Sequence, residues 1–232
     1  MSPTPRRADL RAQFAKWGLH PKTQGKRPTC SVFAVTAALE FAVAQRHEAG
    51  CVLSEEYLNW ASNEAIGEFE DGGFFSDLWT GFQKHGICEE PLAPYAEAFD
   101  PEWLPSRVAR GDGKLRRDAG YELAWIKEWN VTTGLTDDEL AAILDTLASG
   151  NPVCAGLRWP IKAEYDGTTL RMCGASEVFD GHSVLLVGYN LEPSEGCDGV
   201  IVFKDSGSGG RYASMPIEYA RAYTNDAAVI SD

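Results

Sequence analysis

No stretch of this chain stays apolar long enough to cross a membrane. The longest such run, Val32–Leu39, is interrupted by Thr36 and falls far short of the ~20 residues that a spanning helix needs. Basic residues are scarce: 21 Lys+Arg stand against 34 Asp+Glu, for a net charge of −13. That balance argues against a nucleic-acid partner, because phosphate binding needs a basic face. Six cysteines, at 30, 51, 88, 154, 173 and 197, are too few for a disulfide scaffold. No pair has CxxC spacing and no Cys/His group has zinc-ligand spacing, so no metal or other cofactor is called for. Met1–Gln13 carries basic residues without an apolar stretch behind them, unlike a signal peptide, which leads us to expect a cytoplasmic protein. Internal repeats and low-complexity blocks are absent.

What remains is the composition of an ordinary globule, 44% hydrophobic and 24% charged. The 232 residues suit one large domain or two lobes sharing an interface. Charge is unevenly spread. Residues 1–30 hold seven basic side chains (Arg6, Arg7, Arg11, Lys16, Lys22, Lys26, Arg27) and one acid, Asp9, so the rest of the chain carries −19. Two readings follow: a solvated basic tail, or a segment drawn across an acidic body.

The strongest helix signal opens at Cys30. Thr29 can cap it, and Phe33, Ala37, Phe41 and Ala44 make one apolar stripe through 31–47. Ser54–Asn63 and Phe75–His85 read as two further helices, the second closed by Gly86. Residues 91–118, with four prolines and many charges, read as a linker. Beyond it lie strand patterns at Tyr121–Trp129, Pro152–Trp159, Ser183–Tyr189, Val200–Lys204 and Arg211–Ser214, and a helix at Thr136–Ser149 with a capping box of Thr136 and Glu139. Helices first and strands later give an α+β fold. We expect a basic segment at 1–23, a helical lobe at 24–115 and a β-rich lobe at 116–232, with a cleft between the lobes.

Three residues suggest chemistry. Cys30 falls in the first turn of its helix, where unpaired N–H groups and the helix dipole favour a thiolate. His182 precedes an apolar strand and follows Gly181, which permits close approach. Gln24, six residues before Cys30, can aim its amide at the same point as the Cys30 backbone N–H. Two such donors form an oxyanion hole.

In that setting, Q-G-K-R-P-T-C-S-V-F-A-V-T-A-A-L-E resembles the active-site segment of papain-like cysteine peptidases. Gly72–Gly73, 42 residues after Cys30, resembles the family's substrate-binding glycines. G-H-S-V-L-L-V-G-Y-N resembles its histidine strand, and F-K-D-S-G-S-G-G-R-Y the segment of its orienting asparagine. The resemblance spans roughly residues 22–218. It implies a papain-like two-lobe fold, helical on the left and β-barrel-like on the right. It also implies a peptidase in which Cys30 attacks, His182 moves the proton, Gln24 and the Cys30 N–H hold the oxyanion, and an extended peptide or protein lies on Gly73. Asp205 takes the place of the family's asparagine, expected at the His182 Nδ1–H, though a turn residue is the other reading. Oligomeric state is not legible.

Some features depart from the family. Arg27-Pro28-Thr29 replaces the usual Cys-Gly-Ser, which removes a family disulfide and agrees with a reducing compartment. Ser206-Gly207 follows Asp205 where the family has a shielding Trp. A long propeptide is not apparent, so the chain looks like the short bacterial branch. The same site could pass its thioester to an amine, or be an inactive peptide-binding scaffold. Phe74 and Phe75 are either core or the walls of a pocket for an apolar side chain at the second substrate position (P2). Gly207–Gly210 lacks the Lys-Ser/Thr of a phosphate loop. Cys51, Cys88, Cys154, Cys173 and Cys197 read as bystanders, with a labile Cys173–Cys197 pair left open.

Overall fold

The computed structural model describes residues 5–192, 198–207 and 209–232, with Asp180 described by its backbone only. Cys197, and with it the suggested pairing to Cys173, lies outside the described residues, as does Ser208 of the Gly207–Gly210 run. In chain order the elements are β1 (Arg7–Asp9), α1 (Arg11–Lys16), α2 (Cys30–His47), α3 (Glu55–Ile66), α4 (Phe75–His85), α5 (Arg107–Arg117), β2 (Glu122–Lys127), α6 (Asp137–Ala148), β3 (Val153–Pro160), β4 (Tyr165–Asp166), β5 (Thr169–Leu170), β6 (Val178–Asn190), β7 (Val200–Asp205), β8 (Arg211–Pro216), α7 (Ile217–Tyr223) and β9 (Thr224–Ser231).

The expected apolar stripe on α2 understates the helix. Every residue from Ser31 to Ala44 is buried. A helix that is apolar all round must be enclosed on all sides. Accordingly α2 packs on α3 and α4 to one side and on β3, β6 and β9 to the other. Its charged exception is Glu40, also buried, whose carboxylate accepts from Lys22 Nζ at 2.8 Å and from the Leu53 N–H at 3.0 Å. Lys22 also pairs with Glu55 at 2.5 Å. Burial pushes the Glu55 carboxyl up to about 7 despite Lys22. It also pushes Lys204, close to Glu40, down to about 8.

The strands form one sheet in the order β2-β9-β3-β6-β7-β8-β5-β4, with β1 paired to β6. Its two ends are not paired to each other among the described residues. β9 and α7 were not anticipated. Thr224-Asn225-Asp226 opens β9 with three polar residues, all buried, which hid its apolar continuation. Residues 91–118 are not a bare linker. After Pro105, Ser106 caps α5 by accepting from the Ala109 N–H at 3.1 Å. Gly113 inside that helix is explained by packing: a Cβ there would sit 2.8 Å from the Tyr57 hydroxyl. The cap at Ser54 and the capping box at Thr136 form as expected, whereas the Thr29 side chain does not cap α2 and bonds the Tyr95 hydroxyl instead.

Of the two readings of the basic N-terminus, the segment seated on the body is the one observed. β1 pairs antiparallel with Gly188–Asn190, Phe14 is fully buried with its ring 4.6 Å from that of Phe41, and Lys22 and Arg27 enter buried ion pairs. The solvated-tail reading fails because Leu10, Phe14 and Leu19 supply apolar anchors between the charges. Phe14→Ala should therefore lower the unfolding free energy by about 3–5 kcal/mol, the usual cost of emptying a buried aromatic site. Urea denaturation checks this, and a loss under ~0.5 kcal/mol, the surface range, would return the segment to a tail.

Candidate active site

Cys30 is the first residue of α2 and sits half-buried at the mouth of a cleft. β6 carries His182 past it. Gly181, with φ at +115°, makes the kink that turns the strand here, and its carbonyl lies 4.0 Å from Cys30 Sγ. Asp205 ends β7, the neighbour of β6. His182 Nε2 and Asp205 Oδ1 are 2.9 Å apart, with side chains 14% and 4% exposed. The carboxylate is thus bonded to Nε2, not to the expected Nδ1. With Nε2 held by Asp205, Nδ1 is left for a second partner, and Cys30 is the other group that interacts with the ring.

The electrostatics follow from that order of groups. Burial pushes the Cys30 thiol up, but the His182 ring and the backbone N–H groups of Ser183 and Ser31 outweigh it, and the thiol is held below its usual value. Burial pushes His182 down, yet Asp205 and then Cys30 prevail and raise it to about 9. Burial alone would raise Asp205, whereas its bond to His182 and the Gly207 N–H at 2.9 Å hold it low. Cys51, Cys88, Cys154 and Cys173 are pushed up, chiefly by burial, Cys88 to about 12.

Gln24 lies on the loop entering α2. Its Oε1 accepts from Ser206 Oγ at 2.8 Å and its Nε2 donates to the Arg27 carbonyl at 2.9 Å, which leaves the second amide hydrogen for another acceptor. Gly72 and Gly73 have φ of +86° and +132°, and a Cβ on Gly72 would stand 2.6 Å from the Pro28 carbonyl oxygen. Only glycine lets this strip lie against the loop before Cys30.

Beside Cys30 opens a cavity of about 240 Å³ whose walls include Gly73, Phe74, Phe75, Trp129, Leu157, His182 and Asp226. Phe75 serves both readings given for it: it lines this space yet is only 2% exposed, as a core residue of α4. Phe74 is 53% exposed and meets Trp129 edge-on at 5.4 Å. Several residues here escaped the sequence reading. Gly156 faces Asp226, whose Oδ1 fills the place of a Cβ at 2.1 Å. Trp159 lies 4.5 Å from the His182 ring and packs on Phe203 and Tyr219. It covers the imidazole from β3, where no aromatic follows Asp205 in sequence. The polar triplet opening β9 was the available signal for Asp226; Trp159 had none beyond its place at the end of a strand.

The family model described as papain family cysteine protease matches residues 4–206. The chain therefore belongs to the papain family of cysteine proteases. Among solved structures it is similar to xylellain, a cysteine protease from Xylella fastidiosa, at 19% identity and a TM-score of 0.77, over 99% of this chain and 87% of that one. It is also similar to the digestive procathepsin L 3 of Tenebrio molitor larval midgut, at 21% identity and a TM-score of 0.68, over 100% of this chain and 71% of that one. A third is the proform of the Amb a 11 cysteine protease, a ragweed pollen allergen, at 22% identity and a TM-score of 0.69, over 100% and 67%. At these identities the likeness establishes the papain-like α+β fold. No curated protein matches the chain. No helix among the described residues is long and apolar enough to cross a membrane.

His182 provides a direct check on the site. Its raised pKa adds stability that is fully present below its ordinary value near 6.5 and is lost as the pH rises through about 9. In Cys30→Ala and in Asp205→Ala its pKa should fall, because each variant removes a group that raises it against the effect of burial. NMR titration of the ring reads both, and an unchanged pKa in the two variants would contradict the contacts described.

Proposed function

We propose that the chain is an active cysteine peptidase. The observation that carries this is the line of groups from Asp205 through His182 to Cys30, in which the acid holds one ring nitrogen at 2.9 Å and the thiol is biased toward thiolate. Cys30 Sγ attacks a peptide carbonyl. The Cys30 backbone N–H, free of an intrahelical partner at the first helical position, and the second amide hydrogen of Gln24 receive the oxyanion. His182 gives its proton to the leaving amine, then takes one from the water that splits the thioester, returning the enzyme. Asp205 keeps the ring oriented. The extended substrate lies along Gly73, with alternate side chains turned to the cavity. Free thiols at Cys30, Cys51, Cys88, Cys154 and Cys173 suit a reducing, cytoplasmic setting.

Labelling with an epoxide thiol-protease inhibitor, followed by peptide mapping, tests the assignment. One adduct, on Cys30, is expected, and Cys30→Ala and His182→Ala should each abolish peptide hydrolysis. Labelling spread over several cysteines, or activity retained in Cys30→Ala, would refute it. Asp205→Asn should keep much of the activity, whereas Asp205→Ala should lose ~10²-fold, the cost of a misplaced reacting group. Equal rates for both variants and the parent would return Asp205 to a turn residue.

The cavity sets the expected preference at P2. Phe74, Trp129 and Leu157 offer apolar surface worth ~1.5–3 kcal/mol to a buried Leu, Val or Phe side chain. Asp226 on the wall, and a chain of net charge −13, penalise Asp and Glu. The wall residues remove the ground for disfavouring Lys or Arg, whose apolar stems also fit such surfaces. A peptide-library profile with an acidic P2 favoured would contradict this pocket.

A further inference from the structure

We infer that Arg27 is the positioning residue of the substrate strip: its buried guanidinium fixes Asp71, and so Gly72 and Gly73, against the loop that delivers Cys30. The inference rests on the proposed role of Gly73 as the substrate's backbone partner.

Arg27 is three residues before the nucleophile and only 4% exposed. All five of its N–H groups are used. Nε and Nη2 hold the Asp71 carboxylate at 3.0 and 2.7 Å. Nη1 donates to Glu56 at 2.5 Å and to the Ala96 carbonyl at 3.0 Å, and Nη2 reaches Glu56 at 3.3 Å. The guanidinium carbon lies 4.6 Å from the centre of the Tyr95 ring. Asn59 of α3 completes the clamp. Its Oδ1 accepts from the Gly72 N–H at 3.0 Å, and its Nδ2 donates to the Glu70 carbonyl at 3.2 Å and to Asp71 at 3.3 Å.

The charges do not need to be there for stability alone. A buried ion pair is often no more stable than apolar residues of the same volume, while loss of one partner strands the other. What a fully bonded guanidinium adds is geometry, because a planar fork fixes both the direction and the distance of a carboxylate. Here the fork joins two segments, 24–29 and 70–73, that approach until a Cβ on Gly72 would meet the Pro28 oxygen at 2.6 Å. A lysine could keep the charge but not the fork.

Two variants test this: Arg27→Lys, which keeps the charge, and Asp71→Asn, which leaves Arg27 paired with Glu56. Each is assayed with a fluorogenic peptide that the parent cleaves and with iodoacetamide, a small reagent that needs no strip. KM for the peptide should rise about tenfold in both variants, the scale of a sub-ångström misplacement, while the alkylation rate of Cys30 stays within about twofold. Unchanged KM, or KM and alkylation deteriorating together, would overturn the inference. Should the parent cleave no peptide, the proposed function fails separately. Hydrogen exchange at the Gly72 and Gly73 amides then decides: faster exchange in both variants supports the role of Arg27, and unaltered exchange overturns it. If Arg27→Lys does not fold, Asp71→Asn alone carries the same outcomes.

Discussion

Helix α2 has no polar face, and the rest of the molecule is arranged by that constraint. With Ser31 to Ala44 all buried, the helix needs apolar cover on every side. Helices α3 and α4 supply one half and strands β3, β6 and β9 the other. Two groups of elements wrapped about one rod must meet along a seam, and the N-terminus of the rod opens into it. Cys30 stands there, where the helix presents its unpaired N–H groups. The strand that brings His182 alongside is itself part of the cover. The proposed reactive pair is thus a product of burying one helix from two sides.

The second organising feature is how the interior handles charge. The acidic chain draws its basic N-terminal segment inward at two places. Lys22 reaches Glu40 and Glu55 beneath the site, and Arg27 reaches Glu56 and Asp71 beside it. Each costs desolvation that only full bonding offsets. Both lie under loops that carry site residues, Gln24 between them in sequence. Asp205 does the same for His182 from the β side, and Trp159 covers that ring from β3.

The order of helices then strands, the start of α2, and the pairing of Cys30 with His182 were legible because each leaves a local mark: a cap, a period, or a motif at a known separation. The nitrogen bonded by Asp205 was not legible, since it depends on which side of β6 the strand β7 lies. Nor was α5, whose Gly111 and Gly113 read as loop until the packing of Tyr57 explained the second. Trp159 and Asp226 join the site only through the register of β3 with β6 and β9, which Gly156 and the bulges beside it decide. Arg27 reads in sequence as one more surface charge; its burial follows from acids 29 and 44 residues away.

The central claim is that Cys30 rests as a thiolate beside a protonated His182. Ultraviolet thiolate absorbance, taken as the difference between the parent and Cys30→Ala across the pH range, measures it most directly. The account predicts that the signal persists well below the ordinary thiol value of 9.0, with no second rise at that value. A signal that appears only as the pH passes 9.0 would mean a neutral thiol and a neutral imidazole, and would contradict it.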